Sequence, residues 1–147
     1  AETGVCLQVV VRKLDAGAVI GERRLKIALE MNALSVHDRL SALGVELFRD
    51  DFKLFLRGKK IPSPQDEALV SYAAKIEKSD AAIDWRRPAS EVHHLVRGLY
   101  MGPQAHTLWQ GKGLKIFRTR PSTHVGEPGR IVYSEKSFFS VACGEGS

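Results

Sequence analysis

The fold of the first half of the chain depends on residues 35–58, SVHDRLSALGVELFRDDFKLFLRG. Apolar side chains recur in this stretch three, four or seven residues apart, which is the spacing that places them on one face of a helix. These positions are Val36, Leu40, Leu43, Leu47 and Leu54. Ser35 is predicted to cap the start of the helix, with Asp38 at the third position of a capping box, and Gly58 to end it. The pattern therefore predicts one long amphipathic helix.

Shorter apolar runs outside this helix predict strands. Residues 5–11 are rich in β-branched side chains and predict a buried strand, and residues 23–27 predict a second one. A second helix is predicted after Pro88, with an apolar stripe of Val92, Leu95, Val96 and Leu99. Four more short strands are predicted at residues 107–109, 114–119, 130–133 and 138–143. A helix followed by short antiparallel strands is typical of a small β-barrel.

Positive charge is concentrated in the second half of the chain. The 147 residues include 22 Lys and Arg against 17 Asp and Glu, a net charge of +5. Residues 86–130 hold eight basic and two acidic side chains, so this segment alone carries a net charge of +6. A basic surface with interleaved aromatic residues suits a phosphate backbone, although a solvated basic face explains the same composition equally well. No run approaches the ~18 apolar residues of a membrane helix, so a spanning protein is excluded.

Few residues predict chemistry by their spacing. Asp15 follows the first strand in a Leu-Asp-Ala-Gly loop, where α/β folds present catalytic groups, but a solvent-facing turn acid is the commoner role of such a residue. The five histidines and two cysteines have no metal-ligand spacing, so no metal site is expected. Cys6 and Cys143 are predicted to be buried, inert thiols, and a cytoplasmic location is expected.

Three segments together resemble the methionyl-tRNA formyltransferase family. Residues 2–5 with Leu14-Asp15-Ala16-Gly17 resemble the folate-dependent formyltransferase signature at the end of the catalytic domain. Residues 64–76, PQDEALVSYAAKI, resemble the interdomain linker of the family. Residues 81–85, AAIDW, with the later Val96-Arg97-Gly98-Leu99, resemble the opening of its C-terminal domain. The matches run in order along essentially the whole chain.

The resemblance implies a fold and a division into domains. The fold class is an α/β fragment, the end of a Rossmann-like formyltransferase domain, followed by a small oligonucleotide-binding-like β-barrel domain. Residues 1–58 would be the C-terminal part of the catalytic domain, residues 59–78 the linker, and residues 79–147 an incomplete tRNA-binding barrel. The abrupt ends of the chain are interpreted in the same way, as parts of two domains, and the complete protein is expected to be a monomer.

The resemblance also implies a mechanism. The amino group of methionine on initiator tRNA attacks the formyl carbon of the co-substrate 10-formyltetrahydrofolate, and the resulting oxyanion needs hydrogen-bond donors. Asp15 matches the catalytic aspartate of the family, which orients a histidine and helps to move the proton. The Asn and His of the family would lie upstream of residue 1, so this chain alone is expected to be inactive. The loop that contacts the folate pterin through its backbone would comprise Val10, Val11, Arg12 and Leu14.

The partner implied for the second half is methionyl initiator tRNA. The candidate phosphate contacts are Lys75, Lys78, Arg97, Lys115, Arg118 and Arg120. Two alternatives remain open at this point. One is a related folate-dependent transformylase or hydrolase that acts on a nucleotide-sugar amine or on formyl-folate. The other is a stand-alone RNA-binding module without catalysis, for which residues 1–57 would be dispensable.

Overall fold

A computed structural model describes all 147 residues, which form two compact units. The first unit is Ala1–Ala74 and the second is Lys75–Ser147. The division between them lies inside the linker predicted for residues 59–78.

The first unit begins with an antiparallel hairpin. Strand β1 (Glu2–Gln8) pairs with β2 (Val19–Lys26), with Glu2 opposite Lys26 and an irregularity in register next to Gln8. The prediction of a buried strand over residues 5–11 was wrong in two respects. The strand ends at Gln8, and its residues alternate between exposed and half-buried because only one face of the hairpin packs on the helix.

The predicted long helix is present, with a change of geometry inside it. Helix α1 (Ala33–Leu47) continues through a π-helical turn (Phe48–Phe52) into the short helix α2 (Lys53–Leu56). Gly58 ends it in the left-handed conformation, at φ 67°. The amides of Gly58 and Lys59 donate to the carbonyls of Phe55 and Leu54, which completes a Schellman motif.

The predicted role of Ser35 was wrong, because Asn32 is the N-cap. The Asn32 side chain accepts a hydrogen bond from the Ser35 amide at 3.0 Å, and the Ser35 hydroxyl accepts one from the Asn32 amide at 2.9 Å. Asn and Ser are equally good caps, and only this reciprocal pairing satisfies both amides. Ser35 is therefore the third residue of the helix and the second partner of the capping box. Asp38, which was predicted for that position, is not part of the box.

The second unit contains a helix and two separate hairpins. Helix α3 (Ala89–Gly98) follows Pro88, and its predicted stripe is confirmed, since Val92, Val96 and Leu99 are buried and Leu95 is half-buried. The hairpins pair β3 (His106–Trp109) with β4 (Lys112–Lys115), and β5 (Ile131–Ser134) with β6 (Phe139–Val141). The core comprises Ile83, Ala89, Val92, Val96, Ala105 and Cys143, with Trp85, Leu95 and Ile116 packed against it.

The predicted barrel and Rossmann-like sheet are not seen as such. Each hairpin of the second unit is its own two-stranded sheet. The chain from residue 116 to residue 130 forms no strand, and it contains two prolines, which cannot donate to a ladder. In residues 1–74 the strands are antiparallel, since a short loop can join only an antiparallel pair. The structure thus confirms mixed α and β content in two units.

Candidate functional site

The Asp15 loop comprises residues 9–18, which connect β1 to β2. Asp15 is exposed and adopts the left-handed conformation, with φ 54°, which is uncommon outside glycine but several-fold enriched for Asp. Its carboxylate oxygen Oδ1 accepts a hydrogen bond from the side-chain nitrogen Nε2 of Gln8, at the end of β1, over 3.4 Å. The loop therefore presents a carboxylate to solvent from a defined backbone position.

Gly17 allows the loop to fold back on itself. A Cβ at residue 17 would lie 1.6 Å from the carbonyl oxygen of Val9, so no other residue fits without moving the backbone. The Val9 amide in turn donates to the Ala18 carbonyl at 3.0 Å. The Leu-Asp-Ala-Gly sequence thus has a steric reason for its glycine.

Gln65 closes the loop from the segment after the long helix. Its amide nitrogen donates to the backbone carbonyls of Asp15 and Gly17, both at 2.8 Å, and to the side-chain oxygen of Gln8 at 3.2 Å. The segment is held next to β2 because Val19 and Ser63 exchange backbone hydrogen bonds at 2.8 and 2.9 Å. Sequence reasoning missed this role, although Gln65 lies in the Pro-Gln-Asp-Glu motif that was interpreted as a linker.

The residues predicted to contact folate share this loop with Asp15. They are Val10, Val11, Arg12 and Leu14, and all four are exposed. Val10 is 94% exposed and Leu14 is 89% exposed, so the loop holds two aliphatic side chains in water. Burying them against the face of a planar aromatic ring would be favourable.

A buried charge cluster anchors the same segment to the hairpin. Asp51 lies in the π-helical turn and is 6% exposed. Its carboxylate forms ion pairs with Arg23 of β2, at 3.1 Å between nitrogen and oxygen, and with Lys60, at 2.9 Å. The hydrogen bond from Lys60 contributes most to lowering the pKa of Asp51, and Arg23 lowers it further, against the effect of burial. Sequence reasoning missed Asp51, although it lies four residues after Leu47, on the predicted apolar face.

The predicted tRNA contacts lie on separate segments of the second unit. Lys75 precedes and Lys78 begins a 3₁₀ turn (Lys78–Ala81), Arg97 lies in the last turn of α3, and Lys115 ends β4. Arg118 and Arg120 follow in the irregular segment and are exposed. The structure does not gather the six residues on one element.

Some of the basic residues of this unit are already neutralised by carboxylates. Arg86 pairs with Asp84 at 2.8 Å and holds the pKa of that carboxyl down to about 2. Arg87 pairs with Glu91 at 2.8 Å, and Arg130 pairs with Glu127. Arg118 and Arg120 form no ion pair, and Lys115 contacts only the neutral side chain of Gln104, at 3.3 Å. Lys115, Arg118 and Arg120 thus form a short run of uncompensated charge at the end of β4 and just after it, and the exposed Phe117 lies within this run.

The remaining residues considered for chemistry are the possible metal ligands and the two cysteines. No group of three or more His, Cys, Asp or Glu side chains is arranged to hold a metal ion. Cys6 is exposed, contrary to prediction, because it points away from the packed face of β1. Cys143 is buried, and burial raises the pKa of its thiol. No helix combines the length and the apolar composition that a membrane crossing requires.

Comparison with known sequences identifies relatives along almost the whole chain. Residues 75–147 match the family described as "Formyl transferase, C-terminal domain". A methionyl-tRNA formyltransferase of Bdellovibrio bacteriovorus is 45% identical over 150 residues, covering 99% of this chain and 47% of that protein. One of Acidithiobacillus ferrooxidans is 41% identical over 146 residues, covering 98% of this chain and 47% of that protein. The chain thus spans about half the length of the curated relatives it matches.

Solved structures share the fold at lower sequence identity. HypX from Aquifex aeolicus, in complex with tetrahydrofolic acid, is 23% identical with a TM-score of 0.78, covering 99% of this chain and 26% of that one. An N-formyltransferase from Helicobacter canadensis, in complex with folinic acid and dTDP-3-aminofucose, is 17% identical with a TM-score of 0.76, covering 99% of this chain and 53% of that one.

Residues 75–147 belong to the formyl transferase C-terminal domain family, and the two solved structures share the fold of the chain. Within that family, the relatives that it matches over nearly its whole length, at 36–45% identity, are methionyl-tRNA formyltransferases. The resemblance inferred from the three sequence segments is confirmed.

Proposed function

We propose that this chain forms part of a methionyl-tRNA formyltransferase, which transfers a formyl group from 10-formyltetrahydrofolate to the amino group of methionyl initiator tRNA in the cytoplasm. The first unit would complete the catalytic site, and the second would bind the tRNA. The observation that carries the proposal is the Asp15 loop, in which a carboxylate is held in a left-handed conformation within a chain 45% identical to such an enzyme.

Asp15 would act on a proton rather than on the formyl group itself. The new bond joins the methionine nitrogen to the formyl carbon, the bond from that carbon to the folate nitrogen breaks, and one proton passes from the amine to the folate nitrogen. A carboxylate accepts hydrogen bonds and can orient and charge a neighbouring imidazole, which suits it to this transfer. The Asn and His of the family would supply the donors for the oxyanion.

The exposed part of the Asp15 loop fits a folate ring by its chemistry. When bound, 10-formyltetrahydrofolate would supply the formyl group. The side chains of Val10 and Leu14 are apolar and almost wholly exposed, so each would lose water contact against a planar ring. Gly17 and Gln65 hold the loop backbone, which favours recognition through backbone groups in preformed positions.

The second unit would bind tRNA mainly through phosphates. Three basic residues without ion pairs, Lys115, Arg118 and Arg120, follow one another at the end of β4 and just after it, and side chains spread in this way position a backbone rather than read bases. Lys75, Lys78 and Arg97 remain candidates for the same role. The stand-alone RNA-binding alternative is not favoured, because the relatives match residues of both units.

A chimera tests the enzymatic proposal. This chain replaces the matching half of the Bdellovibrio bacteriovorus relative, and the chimera is assayed with 10-formyltetrahydrofolate and either methionyl initiator tRNA or dTDP-3-aminofucose. We expect formyl transfer to the tRNA and none to the sugar nucleotide. A folded chimera that formylates the sugar nucleotide, or neither acceptor, would contradict the proposal.

Salt-dependent binding tests the tRNA surface in the 147-residue chain. Replacing Lys115, Arg118 and Arg120 by Ala should flatten the slope of log affinity against log salt concentration by about 2 to 3, because up to three phosphate contacts no longer release counterions. Filter binding with methionyl initiator tRNA measures the slope. An unchanged slope would remove these residues from the interface.

A matched control separates local contact from net charge. The control replaces three arginines that already pair with carboxylates, namely Arg86, Arg87 and Arg130. Both triple variants lose the same formal charge, so a general electrostatic effect would flatten both slopes equally. We expect the control to change the slope by less than about 1.

A further inference from the structure

We propose that Gln65 is a positioning residue for formyl transfer, which holds the Asp15 loop in its left-handed conformation and turns the Gln8 amide toward the Asp15 carboxylate. The inference rests on the proposed function of Asp15. It assigns to the segment after the long helix a part in the catalytic site, in addition to connecting the two units.

The orientation of the Gln65 amide follows from its partners. Two backbone carbonyl oxygens, those of Asp15 and Gly17, lie 2.8 Å from the same atom of Gln65. A carbonyl oxygen cannot donate, so this atom must be the nitrogen, which carries two hydrogens. Its hydrogens are shared among these carbonyls and the Gln8 side-chain oxygen, 3.2 Å away.

This orientation sets that of the next amide. Because the Gln8 end that faces Gln65 accepts a hydrogen bond, it must be the oxygen, and the Gln8 nitrogen must point the other way. That nitrogen lies 3.4 Å from Oδ1 of Asp15. The donors of Gln65 therefore fix the Asp15 backbone directly and its carboxylate through Gln8.

Gln65 can act in this way because its own segment is anchored twice before it. Lys60 pairs with the buried Asp51 at 2.9 Å, and Ser63 exchanges two backbone hydrogen bonds with Val19. Pro64 then restricts the backbone immediately before the glutamine. Little conformational freedom is left to lose when the Gln65 side chain binds the loop, so its hydrogen bonds can hold Asp15 in a conformation that Asp adopts infrequently.

The first test measures loop order in the 147-residue chain. In Gln65→Ala we expect the backbone order parameters of Asp15, Ala16 and Gly17 to fall from about 0.8 to below about 0.6. Gln65→Glu keeps the shape of the side chain but loses the donors, and we expect the same loss of order. Order parameters unchanged in both variants would overturn the inference, and rescue by Gln65→Glu would mean that the side chain acts by packing alone.

The second test measures catalysis in the chimera described above. Gln65→Ala should lower kcat about 100-fold, since a misplacement of about 1 Å has an effect of this size, while KM for methionyl-tRNA changes less than about threefold. Gln110→Ala, which removes the same side chain from the exposed β3–β4 turn, is the control and should leave kcat unchanged. Wild-type kcat in Gln65→Ala would overturn the positioning role.

The two tests separate the inference from the proposed function. A wild-type chimera without formyl transfer would contradict the proposed function, and the order parameters would still decide whether Gln65 holds the loop. An active wild-type chimera with an active Gln65→Ala variant would contradict the inference alone.

Discussion

Asp51→Asn is the perturbation that most directly tests how the first unit is held together. The substitution keeps the shape of the side chain and removes its charge. Asp51 is buried and joins β2 to the segment after the helix through Arg23 and Lys60, at 3.1 and 2.9 Å. We expect the variant to fold with a lower free energy of unfolding.

The size of the loss follows from the burial of the three groups. A hydrogen bond to a charged group contributes about 1.5–3 kcal/mol, so two such bonds set an upper limit of about 6 kcal/mol. The side chains of Arg23 and Lys60 are each 32% exposed and regain water when the carboxylate is removed, which screens much of this energy. The Asn oxygen also retains one neutral hydrogen bond of about 1 kcal/mol. The expected loss is therefore about 2 kcal/mol.

Urea denaturation followed by far-ultraviolet circular dichroism is the assay, because most helical residues lie in the first unit. Trp85 and Trp109 both lie in the second unit, so their fluorescence records the folding of that unit separately. At about 1–2 kcal/mol per M urea, the loss corresponds to a midpoint lowered by about 1–2 M. Asp50→Asn is the control, since that neighbouring side chain is 48% exposed and should change stability by less than about 0.5 kcal/mol.

The pH dependence of stability tests the role of Asp51 a second time. The pKa of Asp51 is lowered in the folded state, so its stabilisation is present above the unfolded pKa of about 4 and is lost as the pH falls through the folded pKa. The difference between wild type and Asp51→Asn should therefore be largest at pH 7 and should shrink below pH ~4. Equal stability at pH 7, or a difference that grows on acidification, would refute the assignment.

Three further outcomes are expected in the 147-residue chain. Gly17→Ala should displace the Asp15 loop, because its methyl group would meet the Val9 carbonyl, and amide shifts confined to loop residues would confirm this. Leu47→Ala, at a side chain only 1% exposed, should lower the free energy of unfolding by about 2–4 kcal/mol in the same urea assay, and a loss below about 1 kcal/mol would mean poor packing there. Iodoacetamide should modify Cys6 in the folded chain and Cys143 only after unfolding, as mass spectrometry of the peptides can show; equal rates would contradict the burial of Cys143.

Periodic patterns predicted the elements of the fold well, because a helix repeats its buried face along the sequence. The leucine spacing predicted the long helix, Gly58 predicted its end, and the stripe from Val92 to Leu99 predicted α3. The failures occurred where partners distant in sequence decide the outcome. The small barrel was predicted from the strand pattern and from the family resemblance, and the structure does not confirm it, since a strand pattern does not determine which strands pair.

Sequence reasoning predicted Asp15 of the candidate site but neither Gln65 nor Asp51. The resemblance indicated Asp15, but Gln65 acquires its role only when Ser63 pairs with Val19, more than 40 residues away in the chain. Asp50 and Asp51 are identical neighbours, and one is exposed while the other is buried. Arg23 lies within 4 Å of both carboxylates, so their difference depends on which of them the π-helical turn buries against Lys60, and no local propensity encodes that.

If the Asp15 carboxylate takes part in formyl transfer, as we claim, Asp15→Asn must lower the kcat of the chimera. The claim predicts a kcat at least 100-fold below wild type, because proton transfer by a positioned side chain contributes about 10²- to 10⁴-fold. Asp66→Asn is the matched control, since Asn also caps the short turn that Asp66 caps, and it should stay within about twofold of wild type. Wild-type kcat in Asp15→Asn would contradict the claim.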